Sequence, residues 1–306
     1  MIVNLNDLKV LLEPSAIKVN IVGNTLIAKH EHYETRLDVV PPDNLDAESD
    51  VIKAVVRIVT KLPVSLETLF KDTPFSIVTQ FNQFAALGAL SFHDGGIVMS
   101  SRLTIYKQED AWRTLQLPLL AYSIMSGAEA ILGAIRRTLR KEPICLGESA
   151  WTDQNFETVK GYLSRLCVCT TGGGGLTAEF GLKEGATSAL VGDHKTALFQ
   201  MFSQQPHPEL GGGLLNVLQM PHQVDDDIRL ENVCVQLNKM EMSAHDLPPH
   251  FGAWCKGKLG NNPAYVSFYP NALHSVNGIA ANVAVWALIR ARWANALLPS
   301  MGVLAQ

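Results

Sequence analysis

The hydrophobic positions change their period several times along the chain. Leu5, Leu8, Leu11 and Leu12 lie at helical spacing, with Asn4 or Asn6 placed to cap a short helix. Extended runs follow. Ala16 to Val22 leads through Gly23-Asn24 into Thr25 to His32, a hairpin pattern, and Thr35 to Val40 ends at Pro41-Pro42. Val51 to Thr60 is dense in Val and Ile, which favours a strand, although a helical period also fits. Ser65 to Phe84 predicts a helix broken near Pro74. Ala89 to His93 and Ile97 to Ile105 predict two strands joined at Asp94-Gly95-Gly96, and Leu117 to Leu139 predicts a long apolar helix.

Pro143 and Gly147 mark Arg140 to Ser149 as a linker. Beyond it, Phe156, Val159, Leu163 and Leu166 give an amphipathic helix capped by Thr152 or Asp153. Strands are expected at Leu176 to Leu182, Thr196 to Phe202 and Leu214 to Met220, and a helix at Asp225 to Met240. Two further strands, Gly252 to Lys256 and Ala264 to Tyr269, precede a last apolar helix at Ile279 to Leu298.

Both halves thus follow one order, α-β-β-β-α-β-β-α, and landmarks repeat near half the chain length. Pro63 matches Pro221 (221 − 63 = 158) and Asn82 matches Asn238 (238 − 82 = 156). The small-residue stripe Ser123, Gly127, Ala130, Ala134 matches Ala280, Ala284, Ala287, Ala291 (280 − 123 = 157). The strand pairs between the last two landmarks do not align at that offset, so the repeat needs local insertions. The expectation is an α+β protein of two similar domains, residues 1–140 and 150–306, each an antiparallel sheet with flanking helices.

With a helix-borne Asn ahead of the last strand pair, this order resembles the type III secretion chaperone-like fold and its bacterial YbjN relatives. The residues that carry the resemblance are Phe81-Asn82-Gln83 with the run from Leu90 to Val98, and Val235 to Asn238 with Ala264 to Tyr269. The resemblance implies a small cytoplasmic, non-catalytic domain that pairs as a homodimer and holds an extended segment of a partner protein. Two copies in one chain imply an intramolecular pseudo-dimer. The chain is less acidic than a typical secretion chaperone.

Composition narrows the function classes. Among 306 residues, 25 basic and 29 acidic ones give a net charge of −4 without a basic run, which argues against gripping nucleic acid or an anionic membrane. Charged residues are only 18% of the chain, a hint of covered surface and of oligomer or partner contact. The start lacks the basic and apolar regions of a signal peptide. The five cysteines, Cys145, Cys167, Cys169, Cys234 and Cys255, form no CxxC pair, and a reducing cytoplasm is expected. The apolar run Thr114 to Ile135 is interrupted by Gln116, Pro118 and Glu129 and reads as a buried helix rather than a membrane span.

Candidate chemistry is sparse. The glycine run Gly172 to Gly175 lacks the Gly-Lys-Ser/Thr of a phosphate loop and reads as a strand entry or bulge. His30 and His32 share a strand face without a third ligand, and the same solvated reading covers His93-Asp94 and Asp193-His194-Lys195. Cys255 with His250 would be a thiol and base only if exposed, and Cys167 with Cys169 cannot complete a zinc site alone. Asp225, Asp226 and Asp227 read as helix-capping charges, and Trp286, Arg290, Arg292 and Trp293 on the last helix read as a basic helix end, with a recognition patch as the alternative. No residue is assigned to catalysis, a cofactor or a metal.

The expected function is a non-catalytic protein-binding module whose partner is another polypeptide, with Trp254, Tyr265, Phe268 and Trp286 as aromatic anchors. The same four are also candidates for ordinary core. An enzyme or small-ligand binder with its site between the halves is the alternative, and a structural oligomer subunit is a third reading.

Overall fold

The computed structural model describes residues 3–15, 17–41, 51–63, 74–93, 96–107, 111–182, 195–257 and 260–303. The first part of the helix expected from Ser65, the turn at Asp94-Gly95 and the Asp193-His194 pair lie outside the described residues.

The first half runs α1 (Leu5–Leu12), β1 (Lys18–Val22), β2 (Thr25–Lys29), β3 (Glu34–Val40), β4 (Ile52–Lys61), α2 (Pro74–Asn82), β5 (Ala89–His93), β6 (Gly96–Tyr106) and α3 (Trp112–Arg140). The second runs α4 (Asp153–Leu163), β7 (Val168–Thr171), β8 (Gly175–Gly181), β9 (Thr196–Phe202), β10 (Gly213–Gln219), α5 (Asp227–Ser243), β11 (Ala253–Lys256), β12 (Pro263–Pro270) and α6 (Ile279–Leu297). The protein is therefore α+β with two similar halves. Four strands, not three, precede the middle helix of each. The strand that completes the count in the second half is β7, a four-residue edge strand without the apolar alternation that marks the others.

Both sheets are antiparallel and share one topology, β1-β2-β3-β4-β6-β5 and β7-β8-β9-β10-β12-β11. Their registers match across all six strands. The row Leu90, Met99, Thr60, Thr35, Ala28, Val19 in the first sheet corresponds to Trp254, Tyr265, Leu218, Phe199, Ala178, Cys169 in the second. Even the first hairpins agree: Gly23-Asn24 turns β1 into β2, and Gly173-Gly174 turns β7 into β8. Gly173 and Gly174 have φ of 60° and 72°, which a side chain would resist, so the glycine run is a tight hairpin turn.

The asparagine landmark has a physical role. Asn82 accepts from the Leu90 amide (2.7 Å) and donates to the Leu90 carbonyl (3.2 Å). Asn238 does the same at Trp254 (2.8 and 2.9 Å). Leu90 and Trp254 lie on the edge strands β5 and β11, so each carboxamide takes the place of a missing neighbouring strand and satisfies two buried backbone groups.

Helices α1 and α3 cover one face of the first sheet, and α4 and α6 cover the equivalent face of the second. One cluster of buried apolar side chains runs through both halves. Helix α3 contains two π-helical turns, Trp112–Gln116 and Ser123–Gly127. At the second, the Ser123 hydroxyl lies 2.9 Å from that of Ser101 and donates to the Leu87 carbonyl (3.0 Å), while a Cβ at Gly127 would run into Met99. Ser123, Gly127, Ala130, Ala134, Ala284, Ala287 and Ala291 are all buried, and Ala280 packs against the core. Among the described residues, Trp112–Arg140 is the one helix long and apolar enough to cross a membrane, and 67% of its most apolar window is buried inside the protein.

The halves meet reciprocally. Helix α2 packs on α5 and β11, and α5 packs on β5 and β6. At the centre Ala89 and Ala253, which hold equivalent register positions, share a small cluster with Ala85. Contacts of i to j and j to i are those of a twofold interface.

Candidate functional site

Two equivalent residues on the last strand of each sheet reach into the opposite half. Phe268 on β12 enters an apolar pocket formed by Ala86 and Ala130 of the first half, with Leu210 and Leu215 alongside and the His207 ring 5.1 Å away. Three positions along from Met99, as Phe268 is from Tyr265, the first half presents Arg102 on β6. Arg102 is fully buried and enters a cradle of carbonyls. Its guanidinium donates to Glu241 O (3.1 Å), Leu247 O (3.2 Å) and Pro248 O (2.8 Å), and to the Thr104 hydroxyl (2.6 Å). The Arg102 backbone also forms a two-way bridge with His250, at 3.3 and 2.7 Å. One half thus anchors with an aromatic ring and the other with a cation. The cation faces the C-terminal turn of α5, where unpaired carbonyls and the helix dipole favour positive charge.

Behind this cradle lies a closed ionic cluster. Glu241 accepts from Arg290 Nε (2.7 Å) and from the Trp254 indole N–H (2.8 Å), and its carboxylate lies 3.3 Å from His250 Nδ1. The Arg290 guanidinium stacks over the Tyr265 ring, 3.8 Å from its centroid, and donates to Pro249 O (2.8 Å). Burial alone would raise the Glu241 pKa, but Arg290 and His250 hold the carboxyl well below the usual carboxylate range. Burial lowers the His250 pKa, aided by Arg290 and Arg102 and opposed by Glu241. Burial also lowers Arg102, to about 10, and raises Tyr265. Glu241 and His250 have no exposed surface. Arg290 and Glu241 contact Pro249 and His250, in the same 245–250 segment whose carbonyls hold Arg102 and Thr104.

One of several open hollows is a groove of about 340 Å³ on the face of the second sheet opposite α4 and α6, while a shallower one of about 490 Å³ lies over Glu34, Arg36, Val59 and Lys61 of the first sheet. The floor of the groove is Phe202, Leu215, Val217 and Val266, from β9, β10 and β12. Gln83 of the first half, Gln200 and Gln205 line it with amides, and Lys256 is its one charged residue. That ammonium is held 2.7 Å from Asp227. The groove continues the seam between the halves, because Leu215 also packs into the Phe268 cluster. A further hollow of about 210 Å³ over the β7–β8 hairpin shares Phe202 with it.

Three of the four expected aromatic anchors are buried. Trp254, Tyr265 and Phe268 are 0%, 5% and 2% exposed. Trp254 and Tyr265 fill the space between sheet and α6, edge to face at 5.5 Å, and Phe268 is the inter-half anchor. Trp254 and Tyr265, on the helix-covered face, and Phe268, on the opposite face against the first half, thus follow the core alternative rather than the anchor expectation. Trp286 is half-buried and lines a separate inter-half cleft with Leu103, Leu115, Pro248 and Pro249.

The other candidates resolve into local chemistry. His30 lies 3.4 Å from the Thr35 hydroxyl and stacks on Tyr33 at 4.2 Å, beyond the end of β2. Cys255 is buried beside Cys234, whose thiol burial pushes up, and Cys167 is raised by burial to about 11. Asp226 caps α5 by accepting from the Ile228 amide (2.8 Å). Among the described residues no three His, Cys, Asp or Glu side chains converge as for a metal ion.

Sequence reasoning missed Arg102, Glu241 and the groove. A lone Arg between hydroxyl and apolar residues in β6 was a usable signal, as was the lack of charge on the outward positions of β9. No protein-family model, curated protein or solved structure matches this chain.

Proposed function

We propose that the chain is a non-catalytic protein-binding module, in which two copies of one fold act as an intramolecular pair and hold part of another polypeptide. The observation that carries this reading is the groove on the second sheet, apolar on its floor, amide-lined and walled by Gln83 of the first half. A half-covered sheet face of this kind suits a polypeptide partner, because alternate strand side chains supply pockets and amides supply hydrogen bonds. The sealed ionic cluster supports a structural rather than a catalytic use of its titratable groups. Five free thiols suit a reducing compartment.

The test is saturable binding of a reduced, alkylated and permanently unfolded polypeptide to the full chain, followed by calorimetry. Binding supports the reading, and its absence at high micromolar concentration removes it. A second reading, a small-ligand binder, is favoured by the groove volume and by its lining from both halves. Stabilisation by a small organic ligand, with no binding of the unfolded polypeptide, would select that alternative.

A further inference from the structure

We propose that the groove on the second sheet takes an extended, uncharged segment of another polypeptide, and that the equivalent face of the first sheet is its solvated counterpart. This rests on the protein-binding reading and adds the chemistry of the partner.

The duplicated sheet is its own control. Thr35 and Phe199 hold one register position, so Arg36 corresponds to Gln200 and Asp38 to Phe202. Thr60 and Leu218 hold another, so Arg57 corresponds to Leu215 and Lys61 to Gln219. The same four places are thus charged in the first sheet and uncharged in the second. On the first sheet, Arg36 and Asp38 pair with each other at 2.8 Å in water. The fold therefore accepts charge at the places of Gln200, Phe202 and Gln219, whereas Leu215 also serves the packing around Phe268. Lys256 does not restore charge to the groove, since Asp227 already neutralises it. A charged partner side chain laid on this floor would lose its hydration without gaining a counter-ion.

The amides decide the conformation. A helix has already paired its main-chain groups, whereas an extended segment brings free N–H and C=O groups that need partners. Gln83, Gln200 and Gln205 carry donors and acceptors of both kinds on the groove walls. The floor crosses three strands, a span of about 10 Å or roughly three extended residues. The groove also continues the apolar seam between the halves at Leu215, so an occupant would extend an interface already built around Phe268.

The experiment uses the full chain and three fluorescein-labelled short peptides, alternating Leu/Thr, Lys/Thr or Glu/Thr, followed by fluorescence anisotropy. The variants are Gln200→Arg and Phe202→Asp, which copy the first sheet, and Arg36→Gln as a control. Circular dichroism checks that each folds, and Gln200→Arg alone suffices if Phe202→Asp does not. The expected result is preference for the Leu/Thr peptide, binding weakened about tenfold or more by Gln200→Arg through an uncompensated charge, and no change with Arg36→Gln. Tighter binding of a charged peptide, or binding that survives both groove variants, overturns the inference and leaves the protein-binding reading standing. A concentration-dependent dimer dispersed by Gln200→Arg overturns it in favour of a second copy of the chain. No binding of any peptide removes the reading along with the inference.

Discussion

Replacing Asn238 with Ala tests whether the helix-borne carboxamide holds the edge of the sheet. Asn238 is 3% exposed and Trp254 0%, so both ends of the two hydrogen bonds lie out of water. The substitution leaves the Trp254 N–H and C=O without partners. Each buried, unsatisfied backbone group costs about 1–3 kcal/mol, so the loss should be about 2–6 kcal/mol, nearer the lower value where water enters the space left behind. A domain of ordinary stability has about 5–15 kcal/mol in total, so the effect is large. Urea unfolding followed by tryptophan fluorescence gives the midpoint and slope for Asn238→Ala, Asn82→Ala and the exposed control Asn20→Ala. Both buried variants should lower the midpoint at unchanged slope, and Asn20→Ala should stay within about 0.5 kcal/mol. If Asn238→Ala also stays within that margin, the carboxamide does not replace a strand and the shared logic of the two halves fails.

Arg102→Met should cost about 3 kcal/mol or more, because it strips the donor from three buried carbonyls of the other half, and denaturant unfolding reads it. Gly127→Leu should destabilise by about 1–3 kcal/mol through overpacking against Met99, measured by thermal unfolding, with Gly127→Ala milder because the Met99 side-chain end can move. Acid should also destabilise the protein. Burial lowers His250 and His207 and takes His222 to about 4, so the unfolded chain binds protons before the native one does. The stability carried by His222 is complete above about pH 6.5 and is lost as the pH falls toward about 4, at up to about 1.4 kcal/mol per pH unit, and His250 and His207 act in the same direction. His222→Phe should flatten that slope in pH-dependent unfolding.

Much of the architecture is legible in residue order because it rests on local pattern. The hairpin at Gly23-Asn24, the capping Asp226 and the two small-residue stripes each depend on neighbours a few positions away. The matching asparagines are visible as a repeat, but their purpose is not, since Leu90 and Trp254 reach them only through the sheet edge. The short strand β7 is hidden for the opposite reason: it has too few apolar residues to show a period, and its pairing with β8 decides it. The aromatic anchors illustrate a different limit. Trp254 and Tyr265 look alike as core or as surface in one dimension, and only α6 lying over them removes the choice. Arg102 and Glu241 are 139 positions apart, so no spacing rule could join them. The groove becomes visible only when the two sheets are superimposed row by row and the charges of one are missing from the other.

Hydrogen exchange read by mass spectrometry, on the full chain with and without saturating Leu/Thr peptide, tests the binding role of the second sheet most directly. The account predicts slower exchange in β9, β10 and β12, at Thr196–Phe202, Gly213–Gln219 and Pro263–Pro270, with Glu34–Val40 and Ile52–Lys61 of the first sheet unchanged. Protection confined to the first sheet, or none anywhere at saturation, would contradict it.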